Sequence, residues 1–256
     1  MTLEIRGLTK YFGGIRAVDG VDLRIAEGEL VGLIGTNGSG KTTVFNLLTG
    51  FYQPDAGSIT FGEKSLVGVS PHRINRLGIA RTFQNVRLFR NLTVMDNVRI
   101  AHHFYREYGP LSALFRTGRY YRGEKKLQEK VEDYLSIFSL QSRINEVAGN
   151  LPYGDQRKLE IARALASEPK VLLLDEPAAG MNSFEVRRLM EFILEIRDRF
   201  KISILLIEHQ MRLVMGICER LAVMDFGQVI ARGRPEEIRE NRKVIEAYLG
   251  EDVPFE

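Results

Sequence analysis

Near-continuous apolar runs recur at Leu30 to Ile34, Val171 to Leu174 and Ile202 to Ile207. Such runs read as strands buried on both faces of a parallel sheet. Each ends in polar residues: Gly35 and Thr36, Asp175 and Glu176, and Glu208 and His209. A parallel sheet delivers side chains at its strands' carboxyl ends to a common site. Shorter strands are predicted at residues 3–8 and 21–25, joined by turns at Gly13-Gly14 and Ala17 to Gly20, at Ser58 to Phe61, and at Ile79 to Phe83. A hairpin is predicted for Arg220 to Met224 and Gln228 to Ala231, turning at Phe226-Gly227.

Between these runs the apolar period becomes helical. Val44, Phe45, Leu47 and Leu48 share one face, as do Leu159, Ile161, Ala162 and Leu165. A further helix is predicted over about 184–199, with Asn182 or Ser183 as its cap. Ser70-Pro71 opens a short helix, with Ser70 as cap, that ends near Gly78. From about Val86 to Leu151 strand-like runs vanish. Thr93 to Ile100 and residues 123–139 read as helices, and 102–123 as an aromatic, basic loop with a helical piece at Leu111 to Phe115. This is a helical insert between the halves of an α/β domain. Pro235 to Leu249 reads as two short helices.

Composition narrows the class. The chain has 256 residues and a net charge of +3, too weakly basic to argue for nucleic acid, though suited to an anionic membrane surface. No apolar run reaches the ~18 residues of a membrane span, and the first residues carry no signal-peptide pattern. The single cysteine, Cys218, allows no internal disulfide, fits a reducing compartment and reads as inert packing. The histidines and Cys218 make no metal-ligand spacing. The Arg/Tyr cluster within 102–123 lacks a repeated aromatic-basic order, which favours a solvated face or a protein contact over nucleic acid.

The sharpest chemistry lies at Gly35, Thr36, Asn37, Gly38, Ser39, Gly40, Lys41, Thr42 and Thr43. A strand, a glycine-rich turn ending in Gly-Lys-Thr, and a helix make a phosphate-binding loop. The glycines let backbone N–H groups approach phosphate oxygens, and the helix start adds its positive end. Lys41 supplies a point charge, and the Thr42 hydroxyl is a Mg²⁺ ligand. Downstream, Asp175 would hold Mg²⁺ through water and Glu176 would polarise an attacking water. By itself Phe12 reads either as core or as a platform for a purine, and His209 either as a structural histidine or as a γ-phosphate contact.

The ordered set of Phe12, Gly35 to Thr43, Gln84, the helical insert, Leu151 to Gln156, Asp175-Glu176 and His209 resembles the ATP-binding-cassette ATPases over essentially the whole chain. The resemblance implies an α/β P-loop NTPase (RecA-like) with a mixed sheet, an antiparallel β subdomain and an inserted α-helical subdomain. It places the catalytic core at 1–86 and 155–234, the helical part at 87–154 and a short tail at 235–256. It implies ATP and Mg²⁺ as cofactors, with Phe12 at the adenine and Val18 among the nucleotide-binding residues. Gln84 would reach the metal and the attacking water, and His209 would sense the γ-phosphate. Tyr153, Gly154 and Asp155 would meet the nucleotide of a second ATPase subunit, a copy or a paralogue, packed head to tail.

Within the family, TGFYQPDAGSI, RTFQNVRLFRNLTVMDNV, the 102–123 insertion, LDEPAAGMN, ILLIEHQMRLVMGI and VIEAYLGE resemble the ATPase of branched-chain amino-acid importers. Importers of urea or short amides share much of that pattern. The implied partners are integral-membrane permeases and, indirectly, a periplasmic or extracellular binding protein, with no nucleic acid. The implied location is the cytoplasmic face of the inner membrane. Two rival classes fit less of the chain. A soluble cassette ATPase acting on DNA or ribosomes usually carries coiled coils or tandem cassettes, and a small-molecule kinase explains neither Leu151 to Gln156 nor His209. Two departures stand out: Leu151-Pro152-Tyr153-Gly154-Asp155 replaces the usual Leu-Ser-Gly-Gly-Gln, and Gly180-Met181-Asn182 the usual Ala-Leu-Asp.

Overall fold

The computed structural model describes residues 1–102 and 109–248. They form two units, one from residues 1–84 with 170–248, the other from 85–169. Residues 103–108, within the predicted aromatic-basic loop, and Leu249 of the tail lie outside the described residues.

The first unit opens with a long hairpin, β1 (Leu3–Phe12) and β2 (Ile15–Ile25). The sequence predicted two shorter strands and a turn at Ala17 to Gly20. Instead the turn is Gly13-Gly14 alone, and the pairing runs from Phe12↔Ile15 to Leu3↔Ile25. Register shifts between Ile5 and Leu8 and again near Lys10 absorb the irregular pattern that masked the strands. β3 (Leu30–Gly35) is buried throughout and leads into α1 (Lys41–Leu48). β4 (Ala56–Phe61) and β5 (Lys64–Ser65) complete a four-stranded antiparallel sheet in the order β2-β1-β4-β5.

α2 (Pro71–Leu77) follows, and β6 (Ile79–Arg81) is shorter than predicted. Ser70 precedes α2 but makes no capping bond; its hydroxyl pairs with His72 Nδ1 at 3.2 Å instead. Gly78, with φ 104°, ends the helix in a left-handed turn.

The second unit holds α3 (Val94–Ala101), α4 (Pro110–Leu114), α5 (Gly118–Ile137) and α6 (Tyr153–Leu165). α5 starts five residues earlier than the apolar stripe predicted. Leu127, Val131, Tyr134 and Phe138 are buried as that stripe requires, as are Val94 and Val98 of α3 and Leu159, Ile161 and Leu165 of α6. The predicted boundary put α6 with the catalytic core. The structure groups it with α3 and α5, against which its apolar face packs.

The chain returns to the first unit at β7 (Val171–Asp175). α7 (Ser183–Phe200) begins in a capping box: Asn182 Oδ1 accepts from the Phe184 and Glu185 N–H groups, and the Glu185 carboxylate accepts from Asn182. β8 (Ser203–Ile207) is fully buried. The helix α8 (Met211–Ile217) was not predicted. β9 (Arg220–Asp225) and β10 (Gln228–Gly233) form the predicted hairpin, and α9 (Pro235–Arg239) and α10 (Arg242–Tyr248) close the described chain.

The second sheet has the order β10-β9-β3-β8-β7-β6, parallel except for β10. The hydrophobic core fills the space between the two sheets around Val44, Phe45, Leu47 and Leu48 of α1. Leu33 pairs with Ile207, and Ile207 with Asp175. So β7 and β8 end level with one another, β3 runs two residues further, and the polar residues after each emerge along one edge.

Candidate functional site

At the end of β3 the backbone turns through a loop that no side chain caps. Gly40 is the residue before α1, in a left-handed conformation with φ 102°, and the first turn of the helix carries no acid. A Cβ at Gly40 would lie 2.3 Å from the Ala17 carbonyl oxygen, so only glycine fits. Lys41 is buried, and its ammonium donates to the carbonyls of Gly35 at 2.8 Å and Thr36 at 2.7 Å, and to Ser39 Oγ at 3.3 Å. Asn37, Gly38 and Thr42 are exposed beside it, and Thr43 is half-buried. The loop is braced from outside by Gly227, whose N–H donates to the Ser39 carbonyl at 3.0 Å. A concave run of backbone, an uncapped helix start and a fixed cation are what a phosphate chain requires.

Phe12 and Val18 part company. Phe12 is 42% exposed, its ring edge-on to Tyr52 at 5.2 Å, and it is no part of the core. Val18 is wholly buried in the core. Along β2 the half-buried Ala17 alternates with it.

The edge formed by β7 and β8 carries the ionisable groups. Asp175 is buried, and Oδ2 accepts from Arg81 Nη2 at 2.7 Å. Arg81 also donates to Asn46 Oδ1 at 2.6 Å and lies over the rings of Phe45 and Phe83. Glu176 adopts a left-handed backbone, φ 45°, with its N–H on the Ile207 carbonyl. Non-glycine residues seldom adopt this conformation outside functional turns. Glu176 Oε2 accepts from Gln84 Nε2 at 3.0 Å and lies 3.9 Å from His209 Nδ1. Gln84, Glu176 and His209, far apart in sequence, thus converge.

Glu208, which the sequence reading left without a role, is fully buried. Oε1 accepts the Ala178 N–H at 2.8 Å, and Oε2 accepts those of His209 at 3.1 Å and Gln210 at 3.3 Å. Burial outweighs these donors and pushes the Glu208 pKa up.

In the second unit, Tyr153, Gly154 and Asp155 are the first three residues of α6, after Pro152, whose side chain makes no cap. Tyr153 is exposed. Asp155 pairs with Lys158 at 2.8 Å and faces Arg143 at 3.6 Å, so its charge is compensated where an anion would approach.

The sequence matches the family model for the ABC transporter over residues 18–179. A second model, the branched-chain amino acid ATP-binding cassette transporter, matches residues 228–254. The chain is 49% identical, over 97% of its length and 98% of the relative's, to the high-affinity branched-chain amino acid transport ATP-binding protein LivG of Salmonella typhimurium. It is 46% identical, over 97% and 98%, to BraF of Pseudomonas aeruginosa, described in the same words. Among solved structures, the ADP conformation of MJ1267, an ATP-binding cassette of an ABC transporter, matches with a TM-score of 0.84 at 33% identity, covering 98% of this chain and 100% of that one. The chain belongs to the ATP-binding cassette family.

In this cassette several buried polar residues that sequence reasoning passed over are paired by the fold. Arg81 ends the short strand β6 after two apolar residues, a signal that a buried partner exists, but pairing with β7 is needed to find Asp175. Arg157 and Glu160 are buried in α6 as an ion pair at 3.0 Å, and Glu160 Oε1 accepts the Arg87 N–H at 3.0 Å. Asn97 is buried in α3 and holds both the N–H and the carbonyl of Phe89, fixing the turn before the helix.

The Thr42 hydroxyl, exposed at the start of α1, and the Asp175 carboxylate at the end of β7 are hard oxygen donors of the kind Mg²⁺ takes, which leaves its other positions to water and substrate phosphates.

Proposed function

We propose that this cassette is the ATP-hydrolysing subunit of an importer for branched-chain amino acids, bound to the cytoplasmic face of the inner membrane by integral-membrane permeases. One observation carries the chemistry: Leu33, Asp175 and Ile207 stand in register. This arrangement brings the phosphate loop, Glu176 and His209 to one edge. The likeness to LivG and BraF supports the substrate class. Among the described residues no helix is long and apolar enough to cross a membrane, so permeation is left to partner subunits.

In this reading the triphosphate lies along Gly35 to Thr43, held by loop N–H groups and Lys41, with Phe12 under the adenine. Thr42, Asp175 and Gln84 would hold Mg²⁺, which neutralises charge on the phosphates. The Glu176 carboxylate, oriented by Gln84, polarises a water toward the γ-phosphorus and takes up its proton, while the β–γ bridging bond breaks to leave ADP. His209 sits at the γ-phosphate.

A second cassette, a copy or a paralogue, presents Tyr153, Gly154 and Asp155 head to tail to the same nucleotide. The start of α6 offers its positive end there, although Pro152 and Tyr153 supply no serine hydroxyl. The triphosphate bridges two helix starts that otherwise repel, and hydrolysis releases them. A periplasmic or extracellular binding protein would deliver the amino acid to the permeases, and no nucleic acid takes part.

Uptake of radiolabelled leucine, isoleucine and valine in cells lacking this chain tests the reading. Uptake should fall and return with the parent gene but not with Lys41→Ala. Unchanged uptake of all three, with urea uptake lost, would overturn the assigned substrate.

A further inference from the structure

Among the described residues, α4 and the start of α5 leave an apolar face exposed. Leu111, Leu114 and Phe115 are 72%, 74% and 73% exposed. Their i, i+3, i+4 spacing puts all three on one side. The chain then turns at Arg116, whose backbone is left-handed with φ 46°, and α5 begins after Thr117. Tyr121 is exposed beside them.

The charges nearby are mostly of one sign: Glu124, the first carboxylate of α5, is engaged by Arg99. From Gly109 to Gly123 the chain holds Arg116, Arg119 and Arg122 and no carboxylate. All three arginines are exposed. The first turn of α5 carries no acid, and no side chain caps it. A helix start is electropositive and normally attracts acids. Arginines there add to that positive end rather than offset it, and so favour an anion arriving from outside.

We propose that this tip is a membrane-surface anchor. Leu111, Leu114 and Phe115 enter the boundary between headgroups and acyl chains of an anionic bilayer, and Arg116, Arg119 and Arg122 meet lipid phosphates. Apolar side chains beside basic ones, with tyrosine at the margin, are the composition of an interfacial element.

Two arguments select lipid over a protein partner. Three side chains offer far less than the ~1,000 Å² that a stable protein interface requires, whereas shallow insertion needs only a few apolar groups aided by charge. The sign of the charge also decides. The cytoplasmic leaflet is negative, while cytoplasmic loops of integral-membrane proteins carry an excess of Lys and Arg. A tip with this excess of arginine is drawn to the first and repelled by the second. The inference depends on neither the nucleotide chemistry nor the transported substrate.

The chain contains no tryptophan, so Phe115→Trp makes a single reporter. Added to phosphatidylglycerol-containing vesicles, the full chain carrying it should shift its emission to the blue and be quenched by lipids brominated near the headgroup. Pure phosphatidylcholine should do neither, and high salt should reverse the shift. In flotation assays of the otherwise unaltered chain, Leu111→Ser/Leu114→Ser and Arg116→Ser/Arg122→Ser should each lower the vesicle-bound fraction about tenfold. These exposed positions should leave the melting temperature and ATP hydrolysis unchanged. No shift with anionic vesicles, or equal flotation of the variants, would overturn the proposal. So would a shift produced by a permease in neutral detergent but not by vesicles.

Discussion

Glu208 and Ala178 are joined across neighbouring strand ends, with the Glu208 carboxylate accepting the Ala178 N–H at 2.8 Å. Its other oxygen holds the backbone of His209 and Gln210, and the Gln210 side chain returns to the Ala178 carbonyl at 3.2 Å. One buried side chain therefore fixes the exit of β7, two residues beyond Glu176, to the exit of β8, which bears His209. An ionised carboxylate has the acceptors for three N–H groups, whereas an amide turns one acceptor into a donor.

Glu208→Gln should therefore destabilise the cassette by about 1–3 kcal/mol, the cost of buried N–H groups left without acceptors. The pH dependence follows from burial, which raises the Glu208 pKa above its ordinary value of 4.5. A carboxyl whose folded-state pKa is raised favours folding most when protonated. That contribution is whole below the unfolded pKa and is lost as pH rises through the folded one. The stability gap between parent and variant should thus narrow as pH rises, in urea melts from about pH 5 to pH 8. A gap that widens would contradict the assignment.

How far the sequence foretold this arrangement depends on the range of the interaction. The apolar runs before Gly35, Asp175 and Glu208 are local signals, and they located the strands and the residues they deliver. The tie from Glu208 to Ala178 was invisible because its partners are backbone N–H groups, which every residue carries. The length of β2 was missed because Ala17 to Gly20 was read as a turn, whereas the strand runs straight through it. The extent of α5 was missed because Gly118 to Arg122 lacks an apolar stripe, and α8 because seven residues span barely two turns. The boundary at 155 failed because residues that continue a motif can pack with the preceding helices, as α6 does.

Arg81 and Asp175 form a nearly dry ion pair, with side chains 6% and 2% exposed. Arg81→Met should destabilise by about 3–5 kcal/mol, because it strands a buried carboxylate. Adding Asp175→Asn should recover part of the loss. Urea unfolding of the single and double variants checks this, and purely additive effects would contradict coupling.

Gly40 and Gly38 test the phosphate loop by contrast. A methyl at Gly40 meets the Ala17 carbonyl, while one at Gly38, with φ 78°, meets nothing within 4 Å. Gly38→Ala should cost about 1 kcal/mol, from its backbone conformation alone. Gly40→Ala should cost more and abolish binding of a fluorescent ATP analogue, measured by titration.

Cys218 should behave as a buried, inert thiol. Burial drives its pKa well above the ordinary thiol range, so almost no thiolate is available to react. Labelling by a small disulfide reagent at pH 8 should be slow in the native protein and complete in denaturant. Rapid native labelling would contradict this packing.

The most direct test of the account is ATP turnover by Glu176→Gln, which keeps the shape of the side chain and removes its capacity to take a proton. The variant should bind ATP with the parent's affinity and hydrolyse it about 10²- to 10⁴-fold more slowly, the range expected for loss of a general base. Turnover within a few-fold of the parent would contradict the role assigned to Glu176, and with it the chemistry proposed for the strand ends.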